Sequence, residues 1–230
     1  MRFYLGNLKV VILGTAPSAF CRYRLNPLHL RTFDMGCCSK IICDGCAYTN
    51  RKREIEARLV PACQFCRHPT PKSQEEFDKI NFKRIAANDP VAMRHIGMMH
   101  CNEGDIVRAF EYYAKAAELG DAEAHYSLSV SYLKGDVEKD KEKEIYHLEE
   151  AAIAGHPQAR FMLGCYEHEK VRTAKHWILA ANLGHEKSMQ GLKECYKDGL
   201  ISKEDFAAAL RANYAAVYAT KSPQREAADT

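Results

Sequence analysis

A mainly helical chain, stacked as an α-solenoid of helix pairs behind a small cysteine-rich module, is the architecture to which three features of the 230-residue sequence point. A five-residue phrase recurs: Ala116-Ala117-Glu118-Leu119-Gly120, Ala151-Ala152-Ile153-Ala154-Gly155, Ala180-Ala181-Asn182-Leu183-Gly184, and a worn copy at Ala215-Ala216-Val217-Tyr218-Ala219. Its glycines fall 35 and then 29 residues apart, and a fixed period of this size marks a stacked helical array. The stretches between the phrases share a second register, at Ala92/Ile96-Gly97, Ala124/Leu128-Ser129, Ala159/Leu163-Gly164 and Ser188/Leu192-Lys193. Seven of the ten cysteines, by contrast, lie between Cys21 and Cys66, ahead of the array.

Each phrase reads as the end of a helix. Paired alanines let a neighbouring backbone approach closely, and glycine takes the left-handed conformation that closes a helix without steric cost. Taken in order, residues 1–17 form an unassigned N-terminal segment, 18–71 a cysteine module, and 72–89 a linker and connecting helix. The array covers 90–219, in units 90–121, 122–156, 157–185 and 186–219, and 220–230 is a polar tail.

Within the cysteine module, Ile41-Ile42 reads as a short strand. A turn at Gly45 comes next, then a helix over 47–59 with Ala47, Ile55 and Leu59 facing the module's core, ended by Pro61. Residues 67–73, rich in proline, are a linker, and Ser73 before Glu75 and Glu76 opens the connecting helix up to residue 87. The units then pair helices over 90–101 and 105–119, 122–133 and 141–154, 157–167 and 171–183, and 186–197 and 203–219. The polar loop 135–140, missing from the third unit, accounts for the shorter second period. Ser129, Lys193 and Ala219 depart from the small residues expected at their register and predict weaker outer packing. Trp177 reads as core, and Cys101, Cys165 and Cys195 as plain buried thiols.

Composition excludes some classes of function. With 47 % hydrophobic and 27 % charged residues this is an ordinary soluble composition, and no apolar run approaches the roughly 18 residues of a membrane span. The net charge of +3 hides a basic front, with 13 Lys and Arg against 7 Asp and Glu in residues 1–80, and a slightly acidic remainder, with 20 against 23. Such a mild imbalance does not call for nucleic acid. The basic run Arg51-Lys52-Arg53 lacks the interleaved aromatics of a nucleic-acid groove, and no phosphate loop, dinucleotide fingerprint or nucleophile elbow is present, so no small-molecule substrate is indicated. Cysteines bunched in C-x-x-C steps, with little sign of secretion, read as reduced metal thiolates of the cytoplasm or nucleus rather than disulfides.

The chemistry of the front module therefore lies in Cys21, Cys37, Cys38, Cys43, Cys46, Cys63 and Cys66. A C-x-x-C step puts both sulfurs on one side of a tight turn, about 2.3 Å from a zinc ion, and two steps complete a tetrahedron. One reading is a single site of Cys43, Cys46, Cys63 and Cys66.

The array resembles the Sel1-like repeats, relatives of tetratricopeptide arrays, over residues 90–219, and that resemblance implies adaptor and scaffold surfaces for protein partners. The pattern Cys38-x4-Cys43-x2-Cys46-x16-Cys63-x2-Cys66 resembles the distal part of a RING-type zinc finger, whose two zinc ions are cross-braced. The resemblance implies that Cys63 and Cys66 join Cys37 and Cys38, while Cys43 and Cys46 join a first pair of which only Cys21 is present, Ser18 standing at the other place. It also implies a ubiquitin-conjugating enzyme as partner, with Arg67, directly after the last ligand, as a contact to that enzyme or to ubiquitin. Two functions are thus expected: a RING-type ubiquitin ligase whose repeats hold a partner, or a non-enzymatic scaffold whose finger carries only structural zinc, two ions in the complete form or one.

Overall fold

The computed structural model of the protein describes residues 32–34, 37–38 and 40–218, with the backbone alone for 32–34, 41 and 43–45. The expectations for residues 1–31, including Ser18 and Cys21, for the Cys43 side chain and for Ala219 and the tail lie outside these residues.

The front is a small α+β unit. Strand β1 (Thr32–Asp34) pairs antiparallel with β2 (Ile41–Cys43) in the register Thr32↔Cys43, Phe33↔Ile42, Asp34↔Ile41. Helix α1 (Asp44–Glu56) continues from β2 without a break. Gly45 thus sits in the first helical turn rather than in a turn of its own. The helix ends before Pro61, because Arg58 takes a left-handed conformation (φ 52°) and the Leu59 N–H closes onto the Glu54 carbonyl at 2.8 Å. Ile55 and Leu59, expected in the core, are 69 % and 52 % exposed; the residue turned inward is Glu54. Its carboxylate accepts from Asn50 Nδ2 (2.8 Å) and from the Ala62 N–H (3.2 Å), which ties α1 to the next segment and satisfies the buried charge. Residues 61–70 double back, with Cys63 N–H bonded to the His68 carbonyl and Thr70 N–H to that of Pro61, so the first part of the 67–73 stretch pairs with the cysteine segment.

The rest is helix on helix. Helix α2 (Gln74–Ala86) opens on Ser73, whose hydroxyl accepts from the Glu76 N–H while Glu76 reaches back to the Lys72 N–H, a reciprocal cap. Four antiparallel pairs come after it: α3 (Pro90–Asn102) with α4 (Ile106–Glu118), α5 (Ala122–Lys134) with α6 (Lys141–Ile153), α7 (Pro157–Tyr166) with α8 (Lys170–Asn182), and α9 (Glu186–Lys197) with α10 (Lys203–Tyr218). Each pair packs on the next, and the buried apolar residues gather in three successive clusters, around Leu128, Leu148 and Leu192.

The two registers form that core. Ala92, Ala124, Ala159 and Ser188 are buried, as are the alanine pairs at 116–117, 151–152 and 180–181. The closing glycines lie in the left-handed region, Gly120 at φ 83°, Gly155 at 89° and Gly184 at 90°, where a side chain would be strained. The small position after the buried Ile or Leu admits a large ring. A Cβ on Gly97 would fall 2.9 Å from Tyr113, and one on Gly164 2.7 Å from Trp177. Ser129 does not weaken this position: it is wholly buried and its hydroxyl donates to the Tyr126 carbonyl at 2.7 Å. Lys193 at the same register is exposed, and so are Cys101 and Cys165; of the three scattered thiols only Cys195 is buried.

Candidate metal centre

Local folding brings four of the predicted ligands together. Cys37 and Cys38 lie in the turn between β1 and β2, and the doubled-back segment carries Cys63 and Cys66 to it. The sulfurs of Cys37 and Cys66 are 3.3 Å apart, those of Cys38 and Cys63 3.6 Å, and all four lie within 4.8 Å of one another. A tetrahedral zinc site with bonds of about 2.3 Å has sulfur–sulfur edges of about 3.8 Å. The four thiols therefore fit one such ion, and none is in a disulfide.

The knuckle geometry supports thiolate character at one of them. Burial alone would raise the Cys63 thiol, but the N–H groups of Cys66 and Phe65 point at its sulfur, the latter at 3.4 Å, and bring it below the usual thiol range. Arg67 closes the knuckle by donating its N–H to the Cys63 carbonyl at 2.9 Å, with φ 60°. Burial, with the neighbouring sulfurs, pushes Cys37 up, and Cys38 up to about 11 despite the N–H of Lys40. A dication held among four crowded thiols of this kind would favour the deprotonated form of each. Of the four sulfurs' residues Cys63 is the buried one, at 2 % exposure, and Ile42 on β2 is equally buried.

The other predicted residues are placed differently. Cys46 stands in the first turn of α1, where Gln64 Nε2 donates to its carbonyl at 3.2 Å, and it is not part of the four-sulfur cluster. Among the described residues Cys63 and Cys66 face Cys37 and Cys38 rather than Cys46, which is not the grouping that a single site of Cys43, Cys46, Cys63 and Cys66 needs. The adjacency of Cys37 and Cys38 is accommodated by the turn they occupy. Cys21 and the Cys43 side chain lie outside the described residues. The exposed side chain of Arg67 forms no hydrogen bond or ion pair among the described residues.

Sequence reasoning missed a set of residues that join the repeats. Asp121 caps α5 by accepting from the Ala124 N–H (2.8 Å) and pairs with Arg94 of the preceding unit (3.2 Å). His156 caps α7 and reaches Glu123; His185 caps α9 and reaches Gln158 at 2.8 Å. Both imidazoles are buried, where a histidine after a glycine reads in sequence as equally suited to a cap or to solvent. The signal was positional: Asp121, His156 and His185 each stand directly after a closing glycine.

Together these features define an all-helical solenoid of paired helices with a four-cysteine cluster at its front. Residues 90–121 and 122–156, the pairs α3–α4 and α5–α6, match the Sel1 repeat family model, so the chain carries a Sel1-like repeat region. Its fold is similar to that of a Sel1 repeat protein from Oxalobacter formigenes, with 23 % identity and a TM-score of 0.54 over 63 % of this chain and 65 % of that one. It also aligns with c5321, a protective antigen present in uropathogenic Escherichia coli strains that displays an SLR fold, at 18 % identity and a TM-score of 0.49, over 70 % of this chain and 36 % of that one. The chain thus spans about two thirds of the first and about a third of the second. No curated protein matches it. No helix among the described residues is long and apolar enough to cross a membrane.

Proposed function

We propose that the protein is a protein-binding scaffold in which the helical array offers the docking surface and Cys37, Cys38, Cys63 and Cys66 hold one structural zinc ion. The reading rests on the stack of Sel1-like helix pairs, an architecture whose exposed faces suit extended contact with partner chains. Zinc in a closed set of four thiolates has no position left for substrate, so its contribution is to the folding of residues 32–70. The test is zinc content per chain by elemental emission after purification in reducing buffer. One equivalent, lost in Cys63→Ser and kept in Cys21→Ser and Cys43→Ser, is the expected result. Two equivalents, one of them dependent on Cys43, would replace the single structural clamp by a cross-braced pair.

One observation favours a second reading. The partnership of Cys63 and Cys66 with Cys37 and Cys38, passing over Cys43 and Cys46, is the order that a RING-type finger requires. In that reading the module recruits a ubiquitin-conjugating enzyme, Arg67 contacts it or ubiquitin, and the chain accelerates thioester discharge by positioning. A discharge assay across a panel of conjugating enzymes separates the two: acceleration abolished by Arg67→Ala supports the ligase, and unchanged discharge with every enzyme leaves the scaffold.

A further inference from the structure

A cleft of about 490 Å³ opens between α4, α5 and α6, within the size range of sites that hold a ligand group. Its wall is a continuous run of aromatic rings. Phe110 stands edge-on to Tyr132 (centroids 5.5 Å apart), Tyr132 stacks on His147 (5.8 Å, 11°), and His147 lies against Tyr146 at 5.0 Å. Two carboxylates, Glu118 at the end of α4 and Glu150 on α6, complete the lining, and neither is hydrogen-bonded or ion-paired by a side chain among the described residues.

The charge balance of the lining is negative. Behind the tyrosines, His125 Nδ1 and His147 Nδ1 are 3.0 Å apart, a contact in which one nitrogen must offer a lone pair. Burial, and then the charge of His125, holds His147 at about 4, so at pH 7 it is neutral. Lys143 is the cation at the rim: its ammonium is 5.7 Å from the Tyr132 ring and is retained by Asp140 at 3.1 Å. Tyr146 is 53 % exposed at the mouth. The combination is particular to the second unit. In the shared register, the places of His125, Tyr132, Tyr146 and Glu150 are taken in the third unit by Arg160, Glu167, Lys175 and Leu179, which bring two cations and no aromatic ring.

We propose that this cleft receives the side-chain cation of a lysine or arginine displayed on a partner protein, with Tyr146 and Tyr132 facing the charge and Glu118 and Glu150 neutralising it. The proposal deepens the reading of the array as a protein-docking surface and rests on it. Aromatic faces attract cations through their quadrupole, and the attraction grows as water is excluded. The lining comes from three helices of the array, so a side chain displayed on a docked partner suits the cleft better than a free amine.

The test is an NMR titration of the ¹⁵N-labelled full chain at pH 7 with acetyl-Gly-Gly-Lys-Gly-Gly-amide. The same peptide bearing acetyl-lysine, and choline, serve as comparators. Saturable shifts along α5 and α6 are expected with the lysine peptide and not with acetyl-lysine. Binding weakens about fivefold or more in Tyr146→Ala and in the Glu118→Gln/Glu150→Gln double variant, and tightens in Lys143→Gln, which removes the competing charge. All these side chains are at least partly exposed, and circular dichroism checks that the helices are intact. Absence of saturable shifts, equal binding of the acetylated peptide, choline binding as tightly as the peptide, or indifference to the acidic double variant would each overturn the proposal. A protein partner that binds the array undiminished by Tyr146→Ala would likewise overturn the cleft as anchor, while leaving the array standing as a docking surface.

Discussion

The imidazole of His156 joins two repeats, accepting the Ala159 N–H at Nδ1 (3.2 Å) and meeting the carboxylate of Glu123, one unit earlier, at Nε2 (3.1 Å). Because Nδ1 is the acceptor, Nε2 carries the proton and donates it to Glu123, which fixes the tautomer. The hydrogen bond from His156 holds the Glu123 carboxyl below its usual range although burial opposes this. Tyr126 stacks on the same imidazole at 4.4 Å.

His156→Ala is expected to lose the cap and the cross-unit bond together, at a cost of about 2 kcal/mol in chemical denaturation. His156→Asp keeps a capping oxygen but sets it beside Glu123, so it recovers little at pH 7. In Glu123→Gln the acid limb changes. The folded-state pKa of Glu123 is depressed, so its contribution is present above about 4.5 and is lost as pH falls through the folded value; the variant flattens that limb. Full recovery in the aspartate variant would contradict this account.

His147 gives a second pH signature, in a different window. In the folded protein its imidazole is held at about 4, against 6.5 ordinarily, by burial first and by His125 second. Between those values the unfolded chain binds more protons, so stability falls as pH drops from about 6.5 towards 4 and is level above 7. Melting temperatures measured across this range should show the slope in the natural chain and a shallower one in His147→Gln. An unchanged slope would place the titration elsewhere.

Trp177 is the chain's single tryptophan, and its ring fills the notches left by Gly164 on α7 and Gly191 on α9 while Nε1 donates to the Phe161 carbonyl. A methyl group at Gly164 would fall 2.7 Å from the indole and 3.1 Å from His176 Cβ, so Gly164→Ala must displace the ring. The expected loss is about 1–3 kcal/mol with a shifted tryptophan emission maximum, whereas Gly104→Ala, with open space around it, leaves the emission unchanged.

Arg67 holds φ 60° at the knuckle, a conformation that glycine adopts freely. Arg67→Gly should therefore strengthen the knuckle by about 0.5–1 kcal/mol, read as slower zinc loss to a chelator. In the scaffold reading this is its whole effect. In the ligase reading the same change also removes thioester discharge, so the two measurements together assign the side chain.

Much of the array was legible in sequence because its determinants are local. Alanine at the close approaches, glycine with positive φ at each helix end, and Asp121 or Asp140 ahead of the next helix all act within a few residues of where they stand. The front module was read less well. Strand β1 is three residues of no distinctive pattern, and its pairing with β2 is set by the cysteine turn between them. Ile55 and Leu59 look like core residues, yet the helix face is decided by Glu54, whose partner Ala62 is reached only because the chain doubles back. For a cap such as His156 the sequence left burial and solvent equally open for the same reason: what buries it is a partner 33 residues away.

The cross-unit caps also give the array a direction. Asp121, His156 and His185 each bond to a residue made earlier, Arg94, Glu123 and Gln158, and Asp89 does the same with Arg84. On a ribosome, the start of each pair's first helix therefore emerges to find its receptor already in place, and the stack can grow pair by pair while the later helices are still unmade.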